Sequence, residues 1–375
     1  MVDRPSTGAQ LLAAVIEDPD DVERRLVYAD YLIEQGDPQG ELIHLCERYR
    51  ILEPRDESLR ARITELEREL GPRIAGFVAE VAKKYWLARG FVSIVEMNAT
   101  EFAEHGERLL AEHPVERFDL HRCTPEQVAV LVEAPATRAL RGLHLRQNQE
   151  VPFSALCRSP SFELLRSLEV WNWTTPGDPL DAFAHWQAPS LASVTLFKVD
   201  SAAQIIAGLS RNEGLRLERL CVTLVDGLEW TGATLEGPSF AELRSLRLLR
   251  SVGCQGDVEP LLDSAELPML RDLALDDPYP VERFRFPQLQ SLNLRGPIDA
   301  RTFERLIDGH PRIAMVEIAE MPPEDVNRAL EFVLGLPQEH PLEYLLLPRD
   351  GVDRRLLARV MRRLGERARV RARGE

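Results

Sequence analysis

The segment Leu243-Arg244-Ser245-Leu246-Arg247-Leu248 contains the pattern that decides the fold. Its apolar residues follow the order apolar, two residues, apolar, one residue, apolar. Eleven copies of this order start 19 to 29 residues apart, at Val92, Val115, Leu140, Leu165, Leu191, Leu217, Leu243, Leu270, Leu289, Ile313 and Leu342. Residues two apart on a strand face the same way. The last two apolar residues of each copy are therefore predicted to point into a core, and the residue between them to the opposite face.

The order and spacing of these copies resemble those of leucine-rich repeats, in which each repeat adds one strand to a parallel sheet. The predicted fold class is α/β. We expect a ribonuclease-inhibitor-like leucine-rich-repeat solenoid of about eleven parallel strands with an N-terminal helical domain. The Asn or Cys that commonly ends a repeat strand occurs only at Cys123 and Asn148. We therefore expect irregular repeats without a continuous asparagine ladder.

Four segments are predicted along the chain. Residues 1–50 form an N-terminal helical domain, and residues 51–90 form a helical linker and N-terminal cap. Residues 91–350 form the solenoid, and residues 351–375 form a basic C-terminal cap helix or tail. A cap is expected because the open end of a solenoid would expose its apolar core to water.

Two motifs in the N-terminal segment are Leu26-Val27-Tyr28-Ala29-Asp30-Tyr31-Leu32 and Gly36-Asp37-Pro38-Gln39-Gly40-Glu41. They resemble a short bacterial repeat-companion domain, which typically reads Leu-Val-Tyr-Ala-Asp-Trp-Leu and then Gly-Asp-Pro-Arg-Gly-Glu. Tyr31 replaces the usual Trp, and Gln39 replaces the usual Arg. The stretch Arg89-Gly90-Phe91-Val92 also looks like such proteins.

This resemblance implies an architecture, with the domain preceding repeats, and it implies no reaction. Capping, turn formation and packing explain most of the motif residues. The alternative is that Asp30 and Glu41 contact a ligand.

Composition excludes several classes of protein. The 375 residues include 61 acidic and 46 basic side chains, for a net charge of −15, so a nucleic-acid binder that relies on a global positive field is not expected. No apolar run is long enough to span a membrane, and the first residues lack the features of a secretory signal. The five cysteines are scattered and form no CxxC, which indicates reduced thiols in the cytoplasm. We predict no cofactor, no membrane contact and an oligomeric state that the sequence leaves open.

No nucleotide-binding, hydrolase or metalloprotease motif occurs, so the protein is predicted to be non-enzymatic. The repeat register places a set of charged and aromatic residues on the concave face: Arg117, Asp119, His121, His144, Arg146, Glu169, Trp171 and Phe197. Large aromatics beside charges on a solvated sheet face are typical of protein interfaces. We therefore predict a scaffold that binds an unidentified protein partner through these residues. The alternative for the aromatics is coverage by another segment of the same chain.

Two further hypotheses remain open. The Asp119–His144–Glu169 line could form a small-ligand or metal site, with or without enzymatic activity, although a salt-bridged solvated face is the simpler interpretation. The tail from Arg354 to Glu375 holds nine Arg and two Glu, a net +7, which leaves −22 for residues 1–353. It is either a cap helix with a solvated basic face or an arm that binds an acidic protein or a phosphate polymer.

Overall fold

The structure is a computed structural model in which the chain divides into two compact units. The described residues are 7–51, 56–121, 123–146, 153–157, 159, 161–171, 179–199, 201–224, 233–250, 261–262, 267–276, 286–365 and 369–371. The first unit comprises Met1–Val151 and Ser159–Leu168, and the second comprises Pro152–Arg158 and Glu169–Glu375.

The first unit combines the N-terminal helices with the first strands. Its helices are α1 (Thr7–Glu17), α2 (Val22–Glu34), α3 (Gln39–Ile51), α4 (Glu57–Ala75), α5 (Val78–Val81), α6 (Ala99–Glu112) and α7 (Pro125–Glu133), followed by a 3₁₀ turn (Pro135–Ala139). Its strands are β1 (Lys84–Ala88), β2 (Phe91–Met97), β3 (Arg117–His121) and β4 (Gly142–Arg146). Strand β1 pairs with β2 antiparallel, whereas β2, β3 and β4 pair in parallel and in chain order.

The second unit repeats the strand-and-connection pattern. Its helices are α8 (Phe153–Cys157), α9 (Pro179–Ala184), α10 (Ala202–Arg211), α11 (Ala300–Gly309), α12 (Pro323–Gly335) and α13 (Arg354–Leu364), with a 3₁₀ turn at Pro238–Phe240. Strand β5 (Ser167–Trp171) begins in the first unit and ends in the second. The strands that follow are β6 (Ser193–Phe197), β7 (Arg219–Leu224), β8 (Ser245–Arg250), β9 (Asp272–Leu275), β10 (Ser291–Pro297), β11 (Met315–Glu320), β12 (Tyr344–Pro348) and β13 (Arg369–Arg371). From β6 to β13, each strand pairs in parallel with the next one.

Burial alternates along the strands as the sequence predicts. On β8, Leu246 is 0% exposed and Leu248 is 1% exposed, whereas Arg247 between them is exposed. We call the face that carries Arg247 and its counterparts the open face. The eleven predicted copies correspond to β2 through β12, which confirms an α/β leucine-rich-repeat solenoid with a helical N-terminal region.

Successive repeats are joined by a recurring main-chain hydrogen-bond arrangement. One carbonyl accepts from two consecutive N–H groups at the start of the next strand, as Glu218 O does from Arg244 N (2.8 Å) and Ser245 N (3.0 Å). The carbonyls that do so are those of Arg141, Ala192, Glu218, Arg244, Arg271, Gln290 and Ala314. The register of the strands is thus fixed by backbone groups, in repeats whose sequences lack the asparagine ladder.

Strand β1 corrects the prediction of a helical segment up to residue 90. The last helix before the first strand ends at Val81. The chain then forms a hairpin in which Lys84 lies opposite Glu96. The two turn residues, Arg89 and Gly90, have φ of +54° and +82°. Positive φ at both positions gives a turn whose twist matches that of paired strands, and it lets β1 cover the edge of β2.

The N-terminal helices pack directly on this hairpin. Phe91 lies in one apolar cluster with Val15 and Ile43, and Tyr28 stacks on the Phe91 ring at 5.9 Å. A Cβ atom on Gly90 would lie 2.5 Å from Ile43 Cγ1, so α3 and the turn are in contact without an intervening side chain. The glycine of the Arg89-Gly90 pair therefore allows this close approach.

Buried charged side chains lie at the same junction. Arg25 is 1% exposed and Glu47 is 2% exposed. Arg89 Nε donates to Glu47 Oε1 at 2.6 Å, and Arg25 Nε donates to the Pro19 carbonyl at 2.6 Å. Burial lowers the pKa of Arg25 to about 10. Helices α1 to α3 thus pack with the first strands in one compact unit, and the proposed boundary at residue 50 stays a prediction.

Candidate functional site

The predicted site residues of the first unit form a charge cluster on the open face of β3 and β4. Asp119 and His144 are direct neighbours in the parallel register. Asp119 Oδ1 accepts from Arg117 Nε at 2.7 Å, and Asp119 Oδ2 accepts from Arg146 Nη2 at 3.1 Å. His144 Nδ1 lies 3.3 Å from Asp119 Oδ1. Three cationic or polar groups thus surround one carboxylate.

The depth of this cluster corrects the expectation of a solvated face. Asp119 and His144 are each 1% exposed, whereas the side chains of Arg117 and Arg146 are 32% and 35% exposed. The two arginines present their charge at the surface, and the acid and the imidazole lie beneath them. His121, which faces Arg146 in the register, is half-buried.

A second buried acid adjoins the cluster. Glu96 lies opposite Asp119 in the strand register, is 6% exposed, and accepts from Lys83 Nζ at 2.6 Å. The sequence analysis did not include Glu96 and Lys83 in the site, although Glu96 occupies the same position in its repeat as Asp119 does in the next. Each buried carboxylate therefore has its own cationic partner, as buried charges require.

The environment of Asp119 changes its acidity. Burial raises the pKa of the Asp119 carboxyl, but the hydrogen bond from His144 and the charges of Arg117 and Arg146 outweigh burial. The net pKa therefore lies below the ordinary value of 3.8. A carboxyl with a lowered folded-state pKa stabilises the fold above its unfolded pKa, and this contribution is lost as the pH falls through the folded pKa.

We expect Asp119→Asn to lower the free energy of unfolding by about 2 kcal/mol at neutral pH, because the arginines lose a buried charged partner. The wild type should lose stability more steeply than the variant as the pH falls below the ordinary carboxyl pKa, where the Asp119 carboxylate becomes protonated. Urea unfolding at a series of pH values measures both effects. Asp308→Asn, at an exposed carboxylate, is the control. Parallel pH profiles for wild type and Asp119→Asn would contradict a stabilising role for the ionised carboxylate.

The predicted site residues of the second unit form an aromatic pair on β5 and β6. The Trp171 and Phe197 rings have centroids 4.6 Å apart and planes inclined by 31°. Trp171 Nε1 donates to Glu169 Oε1 at 2.6 Å, which fixes the orientation of the indole. Both rings are half-buried, so part of each faces outward.

Two further residues extend this aromatic pair. Lys198 has φ of +53°, a backbone conformation that non-glycine residues rarely adopt, and its Nζ lies 5.7 Å from the centre of the Phe197 ring. Leu249 follows Phe197 and Thr223 in the register and is half-buried. Sequence reasoning missed both: the register could have found Leu249, whereas nothing in the sequence signals the strained backbone at Lys198.

The motif residues considered as ligand contacts have partners within the chain. Asp30 Oδ1 lies 2.7 Å from His44 Nε2, and Glu41 accepts from Arg62 through both carboxylate oxygens at 3.0 and 3.1 Å. Asp37 makes the same kind of paired contact with Arg73 at 2.6 and 2.7 Å. These residues therefore join α2, α3 and α4 to one another.

The described part of the chain offers little for metal or thiol chemistry. Among the residues that the structure describes, no group of three His, Cys, Asp or Glu side chains could hold a metal ion. Burial raises the pKa of Cys46 and of Cys123 to about 12, and burial also raises the pKa of Cys221 on the open face. Cys254 lies outside the described residues. A thiol with a raised pKa is a poor nucleophile because little thiolate forms near neutral pH.

Several solved structures resemble this chain at low sequence identity. No protein-family model and no curated protein matches the chain. An internalin from Listeria monocytogenes is 13% identical, with 81% of this chain and 94% of that chain covered and a TM-score of 0.39. A chain in the structure of the Rad7–Elc1 complex of yeast is 12% identical, with 93% of this chain and 94% of that chain covered and a TM-score of 0.46. A leucine-rich-repeat protein from Leptospira interrogans is 14% identical, with 75% and 76% covered and a TM-score of 0.33. The fold assignment rests on strand order and alternating burial.

Of the helices within the described ranges, none is long and apolar enough to cross a membrane.

Proposed function

We propose that the protein is a non-enzymatic scaffold of the cytoplasm that binds a partner protein on the open face of its repeats. The observation that carries this proposal is the Trp171–Phe197 pair, two tilted rings in contact that form a partly exposed aromatic surface on two strands. Aromatic side chains offer a large contact area with few rotatable bonds, so they lose little conformational entropy on binding. This combination is typical of the residues that dominate the energy of protein interfaces.

Charged groups near the aromatic pair support a protein partner. Lys198 and Arg247 are exposed on the second unit, and Glu169 holds Trp171 in place. Charges around an apolar anchor set the orientation and association rate of a partner more than its affinity. We propose Trp171 and Phe197 as the anchors and these charges as the orienting groups.

The first unit contributes a separate charged patch to the proposal. Arg117 and Arg146 offer partly exposed guanidinium groups, which Asp119 and His144 hold from below. His121 lies beside them on β3. Asp119 and His144 would act by positioning the arginines, because 1% exposure leaves these two side chains almost no surface for a partner.

No observation favours the alternative of a metal or enzymatic site around Asp119, His144 and Glu169. Both oxygens of Asp119 accept hydrogen bonds from arginines. Glu169 belongs to the second unit, where it accepts from Trp171. A carboxylate engaged in this way would have to exchange its partners for a metal ion, so we do not propose this function.

We expect Trp171→Ala to weaken partner binding by about 30-fold, or roughly 2 kcal/mol, because a hot-spot anchor is removed. The melting temperature should change little, since the indole is already partly exposed. The measurement is quantitative capture of the partner from lysate by immobilised wild type and by Trp171→Ala and Phe197→Ala variants, followed by titration of the purified pair.

The matched controls for this experiment are Asn293→Ala and Arg295→Ala, on the same face of β10. These changes should leave binding nearly unaltered. If they weaken binding while Trp171→Ala does not, the binding face is placed wrongly. If Trp171→Ala unfolds the protein, the indole is a packing residue covered by its own chain, and the proposal fails.

A further inference from the structure

Helix α13 presents a row of arginines that the proposed function does not use. Its sequence, Arg354 to Leu364, contains five arginines and no acidic residue. Four of the five are exposed: Arg354, Arg355, Arg359 and Arg362. With 3.6 residues per turn, these four lie within an arc of roughly 140° on one side of the helix. The helix therefore has an outer face with four positive charges and no negative charge, which we call the arginine face.

The opposite side of α13 holds the helix in a fixed orientation. Leu356 is 8% exposed and Val360 is 0% exposed, and the helix packs against α12. The fifth arginine, Arg363, donates at 2.8 Å to the carbonyl of Leu334 in the last turn of α12, and at 2.7 Å to the carbonyl of Pro337 just beyond that helix. A positive charge at a helix C-terminus also interacts favourably with the helix dipole. Arg363 thus has a structural role that the other four lack.

The start of α13 is also fixed. Asp353 caps the helix by accepting from Arg355 N at 2.7 Å and from Leu356 N at 3.3 Å. Asn327 of α12 accepts from Asp353 N at 2.8 Å and donates to the Gly351 carbonyl at 2.8 Å. The arginine face is therefore preorganised, so a partner would not have to pay the entropy of ordering the helix.

The arginine face lacks anionic partners of its own. Among the described residues, none of its four arginines forms an ion pair with a carboxylate. Elsewhere, exposed arginines such as Arg62 and Arg328 are paired with glutamates. Like charges one turn apart on a helix repel each other, and an anionic partner bound across them would relieve that repulsion.

We propose that the arginine face is a second docking site, which takes an acidic segment of a partner protein. Guanidinium groups bind carboxylates through paired hydrogen bonds, and Arg355, Arg359 and Arg362 span about 10 Å along the helix. Glutamates at the same helical spacing would face each of them. A nucleic acid fits less well, because its tight binding usually rests on about 6–10 phosphate contacts and the arginine face offers only its four arginines.

The test is fluorescence anisotropy of a labelled glutamate-rich helical peptide titrated with the full chain at low ionic strength. We expect saturable binding that weakens as salt is added. Arg355→Glu/Arg359→Glu should weaken it by about tenfold or more. The matched control is Arg301→Glu/Arg305→Glu, which reverses two exposed arginines at the same spacing on α11 and should change the affinity less than about twofold. Arg355→Gln/Arg359→Gln removes the two charges without reversing them and should also weaken binding. This variant serves as the test if the charge-reversed variant fails to fold.

Three results would overturn the proposal: no binding of the peptide by the wild type, equal weakening by the α11 control, or tighter binding of a single-stranded oligonucleotide of the same length. The last result would assign the arginine face to nucleic acid. Trp171→Ala should bind the peptide as the wild type does, so this site and the open-face site can fail independently.

Discussion

Leu246→Asp should lower the free energy of unfolding by about 5 kcal/mol or more, which is comparable to the whole stability of many domains. Leu246 is 0% exposed on β8, between strands that pair with it on both sides. The change removes a buried apolar side chain and places an unpaired charge in the core. Urea unfolding followed by circular dichroism measures the loss, and we expect little folded protein at physiological temperature.

Arg247→Asp is the matched control, because it introduces the same residue one position further along the same strand. Arg247 is exposed on the open face, so its replacement should change the free energy of unfolding by no more than about 1 kcal/mol. Similar costs at the two positions, or a stable Leu246→Asp protein, would show that the assignment of core and open faces is wrong.

Gly90→Ala should cost about 3 kcal/mol. The residue has φ of +82°, and an added Cβ would lie 2.5 Å from Ile43 Cγ1 and 3.2 Å from Ile43 Cα. An alanine at this positive φ strains the turn, and its Cβ atom pushes α3 away from the hairpin. Denaturant unfolding gives the cost, and hydrogen exchange should show earlier opening of α1 to α3 than in the wild type.

Gly36→Ala separates the two causes of this loss. Gly36 has φ of +74°, but a Cβ atom there would meet nothing within 4 Å. It therefore carries the backbone strain alone, with an expected cost of about 1 kcal/mol. An equal cost at Gly36 and Gly90 would mean that Ile43 moves aside freely and that the close contact between α3 and the turn contributes nothing.

The strands were predictable because their signal is local. Two apolar residues separated by one residue, as Leu246 and Leu248 are, place their side chains on the same face wherever the backbone is extended. The register between neighbours then follows from the repeated order, which correctly predicted Asp119 opposite His144. The sequence pattern did not predict how deeply these two residues are buried, because that depends on where the flexible side chains of Arg117 and Arg146 fold.

Strand β1 was not predictable on the same grounds. Lys84–Ala88 carries no copy of the repeat order, and it runs antiparallel to its neighbour. Two-residue hairpin turns usually contain Asn, Asp or Gly at both positions, and Arg89 is an unusual residue for positive φ. Its conformation is held by contacts that are distant in sequence, with Glu47 and with the Pro19 carbonyl. A local pattern contains no information about such contacts.

The shared carbonyl at each repeat junction has a consequence for how such a chain can evolve. The junction uses only main-chain atoms, so substitution of the residue that supplies the carbonyl, whether Glu218, Arg271 or Ala314, leaves the joint intact. The same joint forms across the short interval from Arg271 to Gln290 and across the longer one from Glu218 to Arg244. After duplication or loss of a whole repeat, the repeats on either side can therefore form the same main-chain hydrogen bonds. The number of repeats can change in this way while the sequence diverges.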